Sequence, residues 1–280
     1  MKPFSISLAT ATLSLAAACT APAAIVIFEA AGSTPASITP ARDAFRAGIG
    51  GGSVAAANGD FGGLRREINW DGVPAGFSDP SALPGNFFNV NSPRGVVFST
   101  PGTGFLVSTN AGDTNPVLFG FPNDLQTFSA QKLFTAAGSN ITDVSFFVPG
   151  TTTPATTSAF GVIFTDVEVS DSTKLEFFDA SNTLLFSRTA LISGNQGLSF
   201  LGGMANAGEL ISRVRITAGA NSILSNGVTG NPNDDLVAMD DFIYATPTEV
   251  PTTAVPESGS GLALLGFALA GLAAASRRLR

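Results

Sequence analysis

The chain has no histidine, and its single cysteine, Cys19, lies near the amino terminus. The first absence excludes His-dependent catalytic triads and His-ligated zinc. The second excludes thiol nucleophiles and a disulfide framework from everything beyond residue 19, so the rest of the chain holds together by its core or by bound ions. Lysine is scarce: Lys2, Lys132 and Lys174 are the only three. Neither Lys132 nor Lys174 sits in a serine motif, which removes Ser-Lys catalysis. Trp70 and Tyr244 are each alone of their kind, against 23 phenylalanines. Stretches of Glu, Lys and Leu at helical spacing are missing, while Gly, Ser, Thr, Asn and Phe abound, a composition that points to an all-β protein.

What is present is concentrated at the two ends. Lys2 is followed by an apolar stretch, Ile6 to Ala18, and by Ala21-Pro22-Ala23, small residues in an A-x-A pattern. This reads as a secretory signal peptide over residues 1–23, cut after Ala23 or Ala24. Cys19 follows Ala16-Ala17-Ala18 and lacks the leucine that lipoprotein signals carry three positions earlier, so it is read as discarded with the signal. The other end runs Val255-Pro256-Glu257-Ser258-Gly259, then an apolar run from Gly261 to Ala275, then Arg277, Arg278 and Arg280. Fifteen apolar residues rise about 22 Å as a helix, approaching the ~30 Å of a bilayer core. The three arginines belong on the cytoplasmic side. Pro256 and the following Ser-Gly-Ser-Gly keep the preceding segment extended and accessible.

This order of motif, apolar helix and basic cluster resembles the PEP-CTERM class of sorting signals, nearest to its Val-Pro-Asp-Ser-Gly variant. Glu257 stands where that variant has Asp, and the main class has a second proline where Ser258 stands. The resemblance covers about a tenth of the chain. It implies an exported protein of the cell envelope or extracellular matrix of a Gram-negative bacterium, processed at residues 255–259 by an exosortase-type cysteine transpeptidase and associated with exopolysaccharide and biofilm. A tail anchor that is never cut is the competing reading of residues 255–280.

Between the ends lie a body, residues 24–245, and a Thr/Pro linker, residues 246–254. Without Lys2, the three terminal arginines and Glu257, 10 basic and 20 acidic residues remain, a net charge of about −10. That argues against nucleic acid and anionic membrane surfaces, and is compatible with divalent cations. Thr39-Pro40 predicts one short helix over Ala41 to Ile49. Strands are predicted at Ile25–Glu29, Gly95–Thr100, Phe105–Ser108, Ile141–Val148, Phe160–Val169, Leu210–Thr217 and Leu236–Tyr244. Lys174–Asp179 and Thr183–Arg188 flank a turn and predict a hairpin. Short strands at this spacing predict an antiparallel β-sandwich, jelly-roll-like, with one short helix.

Chemistry is sparse in this body. Asp240-Asp241 is an acidic pair on the last strand, where mutual repulsion makes a hard cation a natural partner. In jelly-roll domains of the galactose-binding-like kind, which the body resembles, a structural calcium often sits between a first-strand Glu and a last-strand Asp. That resemblance implies a Ca²⁺ site at Glu29, Asp240 and Asp241, with only one of the two aspartates facing the sheet interior. Asp166, Glu168 and Asp171 lie close together, and the first two, two residues apart, share a face of a regular strand; they are the only candidates for a carboxylate-dependent polysaccharide hydrolase. Trp70, among Arg66, Glu67, Asn69 and Asp71, reads either as a sugar-binding platform or as a core residue. The sequence therefore predicts an exported, non-enzymatic protein, structural, adhesive or polysaccharide-binding, with a secreted hydrolase and an unprocessed tail-anchored protein as alternatives.

Overall fold

The first strand of the body, β1 (Ile25–Gly32), leads through Thr34 into α1 (Pro35–Ile49). Thereafter strands dominate: β2 (Asp60–Phe61), β3 (Arg65–Ile68), a single turn α2 (Phe87–Val90), β4 (Val96–Ser99), β5 (Gly104–Val107), β6 (Phe134–Ala137) and β7 (Ile141–Phe146). The second half contributes β8 (Ala155–Thr156), β9 (Ala159–Thr165), β10 (Lys174–Phe178), β11 (Leu184–Thr189), β12 (Leu198–Ala205), β13 (Arg213–Thr217), β14 (Ala238–Ala245) and β15 (Thr248–Glu249). These elements come from a computed structural model, which describes residues 24–109, 118–223 and 234–250.

The strands form two facing antiparallel sheets. One has the order β1-β12-β9-β14-β3-β2, with β6 also joined to β14 and β5 to β6; the other has the order β11-β10-β13-β7-β4. Between them Phe98, Phe146, Phe177, Val214 and Ile216 of the second sheet meet Phe160, Val162, Leu201, Phe242 and Tyr244 of the first in one buried core. Strand alternation sets which side chains enter it. On β13, Val214 and Ile216 are buried, while Arg213 and Arg215 turn outward and both bind Asp143 of β7, at 2.7 Å each.

A third layer covers the outer face of the first sheet. There α1 lays Ile38 and Phe45 against Ala159, Ile163, Leu198, Phe200 and Ile243. The helix begins one turn earlier than the Thr39-Pro40 reading predicts. A second Thr-Pro dipeptide, Thr34-Pro35, supplies its start, and Thr39 instead donates its hydroxyl to the Pro35 carbonyl at 2.8 Å. The added turn buries Ile38 completely, which favours the earlier start.

Further features depart from the sequence reading, among them β3, β6 and α2, which it does not predict. Pro101-Gly102 does not close a hairpin: β4 pairs with β7 in one sheet and β5 with β6 in the other, so this turn carries the chain across the core. A central strand, β12, stands where no strand is predicted. Its Gly202 lies opposite Gly161 of β9, and the Phe45 ring rests over both; a Cβ on Gly161 would come within 2.9 Å of that ring, and one on Gly202 within 3.1 Å. Missing side chains here make room for the helix, and they also hide the strand from a propensity argument. The hairpin of β10 and β11 forms as expected, with Asp179 Oδ1 accepting the Ser181 and Thr183 amides at 2.8 Å each. Thr248–Glu249, in the Thr/Pro stretch beyond β14, pairs with β8.

Candidate functional site

Midway along β14 the ladder slips. Met239 pairs with Phe164 of β9 and Phe242 with Val162, so Asp240 and Asp241 together occupy the space of one residue. Such a bulge breaks the alternation that would send neighbouring side chains to opposite faces. Both carboxylates consequently reach the same loop hydroxyl: Ser129 Oγ lies 3.1 Å from Asp240 Oδ1 and 2.9 Å from Asp241 Oδ1. Asp240 Oδ2 also accepts the Phe128 amide at 2.6 Å and the Ser129 amide at 3.3 Å. Both aspartates are buried. Burial first, and the adjacent Asp241 charge second, push the Asp240 carboxyl well above the ordinary carboxylate range. Burial raises Asp241 as well, against the stabilising bonds from Asp240 and Ser129 and the Arg46 charge. Both shifts favour the protonated form, and the stronger upward push falls on Asp240.

Beside this pair opens a cavity of about 570 Å³, lined by Arg42 and Arg46 of α1, Glu67 and Asn69 at the end of β3, Arg94, Phe128, Ser129 and Asp241. Salt links fix its walls. Glu67 accepts from Arg46 at 2.5 Å and from Arg65 at 2.6 Å. Arg65 in turn donates to the carbonyls of Arg46, at 3.3 Å, and of Gly50 and Gly52, closing the carboxyl end of α1 with a buried guanidinium. Arg42 lies 4.7 Å over the Phe128 ring and Arg94 5.0 Å over Phe88. Arg66 pairs with Asp60 nearby, at 3.7 Å. Arg42, Arg46, Arg65, Arg66 and Arg94 are half of the 10 basic residues between the two terminal segments. Arg42, Arg46 and Arg94 line the cavity, while Arg65 and Arg66 are held beside it by Glu67 and Asp60. Of the five only Arg66, beside Trp70, is named from the sequence; the crowding of all five into residues 42–94 is legible there.

The acidic residues named from the sequence do not assemble into one set. Glu29 lies on β1, three strand spacings or about 14 Å from β14 across the sheet. It is committed to Arg188 of β11, which holds both its oxygens, at 2.6 and 3.0 Å, and so ties the two sheets at their open edge. Asp240 and Asp241 come together without it, and both face the 128–129 loop, which corrects the expectation that only one would face inward. Among the described residues, no group of three or more His, Cys, Asp or Glu is placed to hold a metal ion.

Asp166 and Glu168 do not share a face. Asp166 ends β9 with φ +73°, which turns the chain out of strand geometry; its side chain is buried while that of Glu168 is exposed. Asp166 Oδ1 accepts the Gln196 amide at 2.9 Å. Burial, supplemented by the charges of Glu168, Asp124 and Asp235, pushes its carboxyl up to about 7. Asp171 sits in the following turn. Trp70 is a core residue and offers no platform to a sugar: it is 1% exposed, stacks on Phe134 with centroids 4.1 Å apart, and donates its indole N–H to the Asp240 carbonyl at 2.8 Å. Cys19, the motif Val255 to Gly259 and the arginines 277, 278 and 280 lie outside the described residues, as does the apolar run 261–275. No described helix is long and apolar enough to cross a membrane.

Compared with families of known proteins, residues 254–279 match the VPDSG-CTERM motif. No curated protein and no solved structure matches the chain. The matched tail carries the mark of an exported, envelope-associated protein that is sorted through its carboxyl-terminal signal.

Proposed function

We propose that this is an envelope or matrix protein whose tail is removed by an exosortase-type transpeptidase and whose sandwich, without catalysing a reaction, binds acidic polysaccharide in the arginine-lined cavity. The observation that carries the binding reading is a cavity lined by Arg42, Arg46 and Arg94 in a strongly acidic body that has only 10 basic residues. A guanidinium meets a carboxylate through two parallel hydrogen bonds, and a cavity edge crowded with arginines suits a chain of uronate units. The acidic remainder of the surface repels such a polymer elsewhere and so confines it to this end. The chain crosses repeatedly between the two facing sheets, from β9 to β10, β11 to β12, β12 to β13 and β13 to β14, which supports a jelly-roll-like body of the kind used for saccharide recognition.

Two measurements test this. The intact mass of protein recovered from its native host is expected to correspond to a carboxyl terminus within residues 255–259; a mass that includes Arg280 would establish the permanent anchor instead. Calorimetric titration of the processed protein is expected to detect galacturonate oligomers and not neutral glucose oligomers. Affinity should fall with added salt and drop about tenfold in Arg42→Gln.

One observation favours the hydrolase as a second reading. A carboxyl poised at about 7, as Asp166 is, suits a general acid. Release of reducing ends that vanishes in Asp166→Asn would establish it.

A further inference from the structure

The backbone nitrogen of Ala24 donates to Glu209 Oε1 at 2.6 Å, between residues 185 apart in sequence. The other carboxylate oxygen accepts the Ala207 amide at 3.0 Å, and the Asn206 amide returns to the Ala24 carbonyl at 3.1 Å. The ladder of β1 with β12 begins one residue later, at Ile25 opposite Ala205. At the partly exposed end of a strand, water satisfies a neutral amide as well as a distant carboxylate does. The carboxylate is well matched to a charged group.

We propose that the mature chain begins at Ala24 and that Glu209 receives its new α-ammonium group. The inference rests on the export reading and adds to it the site of the amino-terminal cut. Water adds across the Ala23–Ala24 amide, leaving a carboxylate on Ala23 and a protonated amine on Ala24. The nitrogen that donates to Glu209 is the same atom before and after. It loses its acyl bond and gains two protons and a positive charge, turning a neutral hydrogen bond into an ion pair. The A-x-A pattern agrees, because Ala21 and Ala23 then occupy the two small-residue positions before the cut. A cut after Ala24 puts Pro22 at the first of those positions and removes the donor from Glu209. Cleavage takes place on an extended chain, so the fold does not direct it; the fold holds an acceptor for what the cut leaves. The bond from Ala24 is also the chief reason the Glu209 carboxyl is held below the usual carboxylate range.

The test uses exported protein from the native host. Sequencing from the amino terminus is expected to start Ala24-Ile25-Val26. The α-amino group, followed by the pH dependence of its acylation, is expected to titrate about half a unit above the usual 7.7–8.0. In Glu209→Gln, which keeps the acceptor and loses the charge, it returns to that range. A chain starting at Ile25, a lipidated Cys19 at the terminus, or the same amine titration in protein and variant would overturn the proposal. A secreted chain that starts at Ala24 with an unshifted amine would remove the ion pair in the same way. Retention of residues 1–23 would instead overturn the export reading on which it rests.

Discussion

Asp240 and Asp241, neighbours on one strand, turn their carboxylates to the same side and meet at the Ser129 hydroxyl. The bulge in β14 produces this meeting, and the loop amides of Phe128 and Ser129 complete it. Two buried carboxyls so close cannot both ionise without strong repulsion, and a shared proton is the inexpensive solution. The pair fastens the 126–131 segment to the sheet, and the same segment supplies Phe128 and Ser129 to the cavity wall.

Stability should fall as pH rises from about 4. A carboxyl whose folded pKa is raised binds its proton more tightly in the folded state than in the unfolded chain, where aspartate titrates near 3.9. Its contribution is therefore greatest below about 4 and is lost as pH climbs through the folded value. For Asp166 that window runs from about 4 to about 7, with a limiting slope of about 1.4 kcal/mol per pH unit for one proton. Urea unfolding at a series of pH values checks this. Asp166→Asn is expected to flatten the curve between 4 and 7, leaving the Asp240–Asp241 part of the decline.

Asp240→Ala should destabilise the body by about 3 kcal/mol, because it leaves the half-buried amides of Phe128 and Ser129 without their acceptor. Asp241→Asn, which keeps an acceptor for Ser129, should cost much less. The same proteins test for calcium. With Glu29 engaged by Arg188 and the aspartate pair already bonded to its loop, excess chelator is expected to leave the melting temperature of the unaltered protein where it was. A melting temperature that falls in chelator, and no longer does so in Asp241→Asn, would put the ion back at this pair.

Trp70 offers a reporter that needs no labelling. As the only tryptophan, fully enclosed against Phe134, it should emit at short wavelength in the folded protein and shift to the red on unfolding. Saturating glycan should leave that emission unchanged, since no ligand reaches the ring. Trp70→Ala should cost about 3–5 kcal/mol.

Gly161→Ala tests the seat of the helix. Its new methyl group meets the Phe45 and Phe200 rings at 2.9 and 3.1 Å, and α1 has to lift or its rings rotate. A loss of about 1–3 kcal/mol is expected by chemical denaturation, with no change in the end-group masses of the exported protein.

Much of the architecture could be read from local pattern. Alternation gave β13 its inward Val214 and Ile216, and the Asp179-to-Thr183 turn gave the one clear hairpin. β12 could not be read this way because Gly202 and Gly203 have no side chains with which to alternate; their role appears only when Phe45 and Phe177 lie against them. Pro101-Gly102 looked like a hairpin turn for a related reason: a tight turn reports the local reversal and not which sheet the next strand joins. At the candidate site, Asp240 and Asp241 could be picked out by their charge. The bulge that aligns them, and the distance that keeps Glu29 away, could not.

The sequence by itself determined the all-β character, the absence of histidine and thiol chemistry in the body, and the sorting motif at the tail. Composition and short motifs act over a few residues, and their chemistry survives in an extended chain. Tertiary structure alone decided which carboxylates meet, that Trp70 belongs to the core, that Arg42, Arg46 and Arg94 line one cavity, and that Glu209 finds Ala24. Apart from the adjacent aspartates, which a bulge in β14 aligns, these are relations between residues tens to nearly two hundred positions apart, and strand order and register set the distances between them.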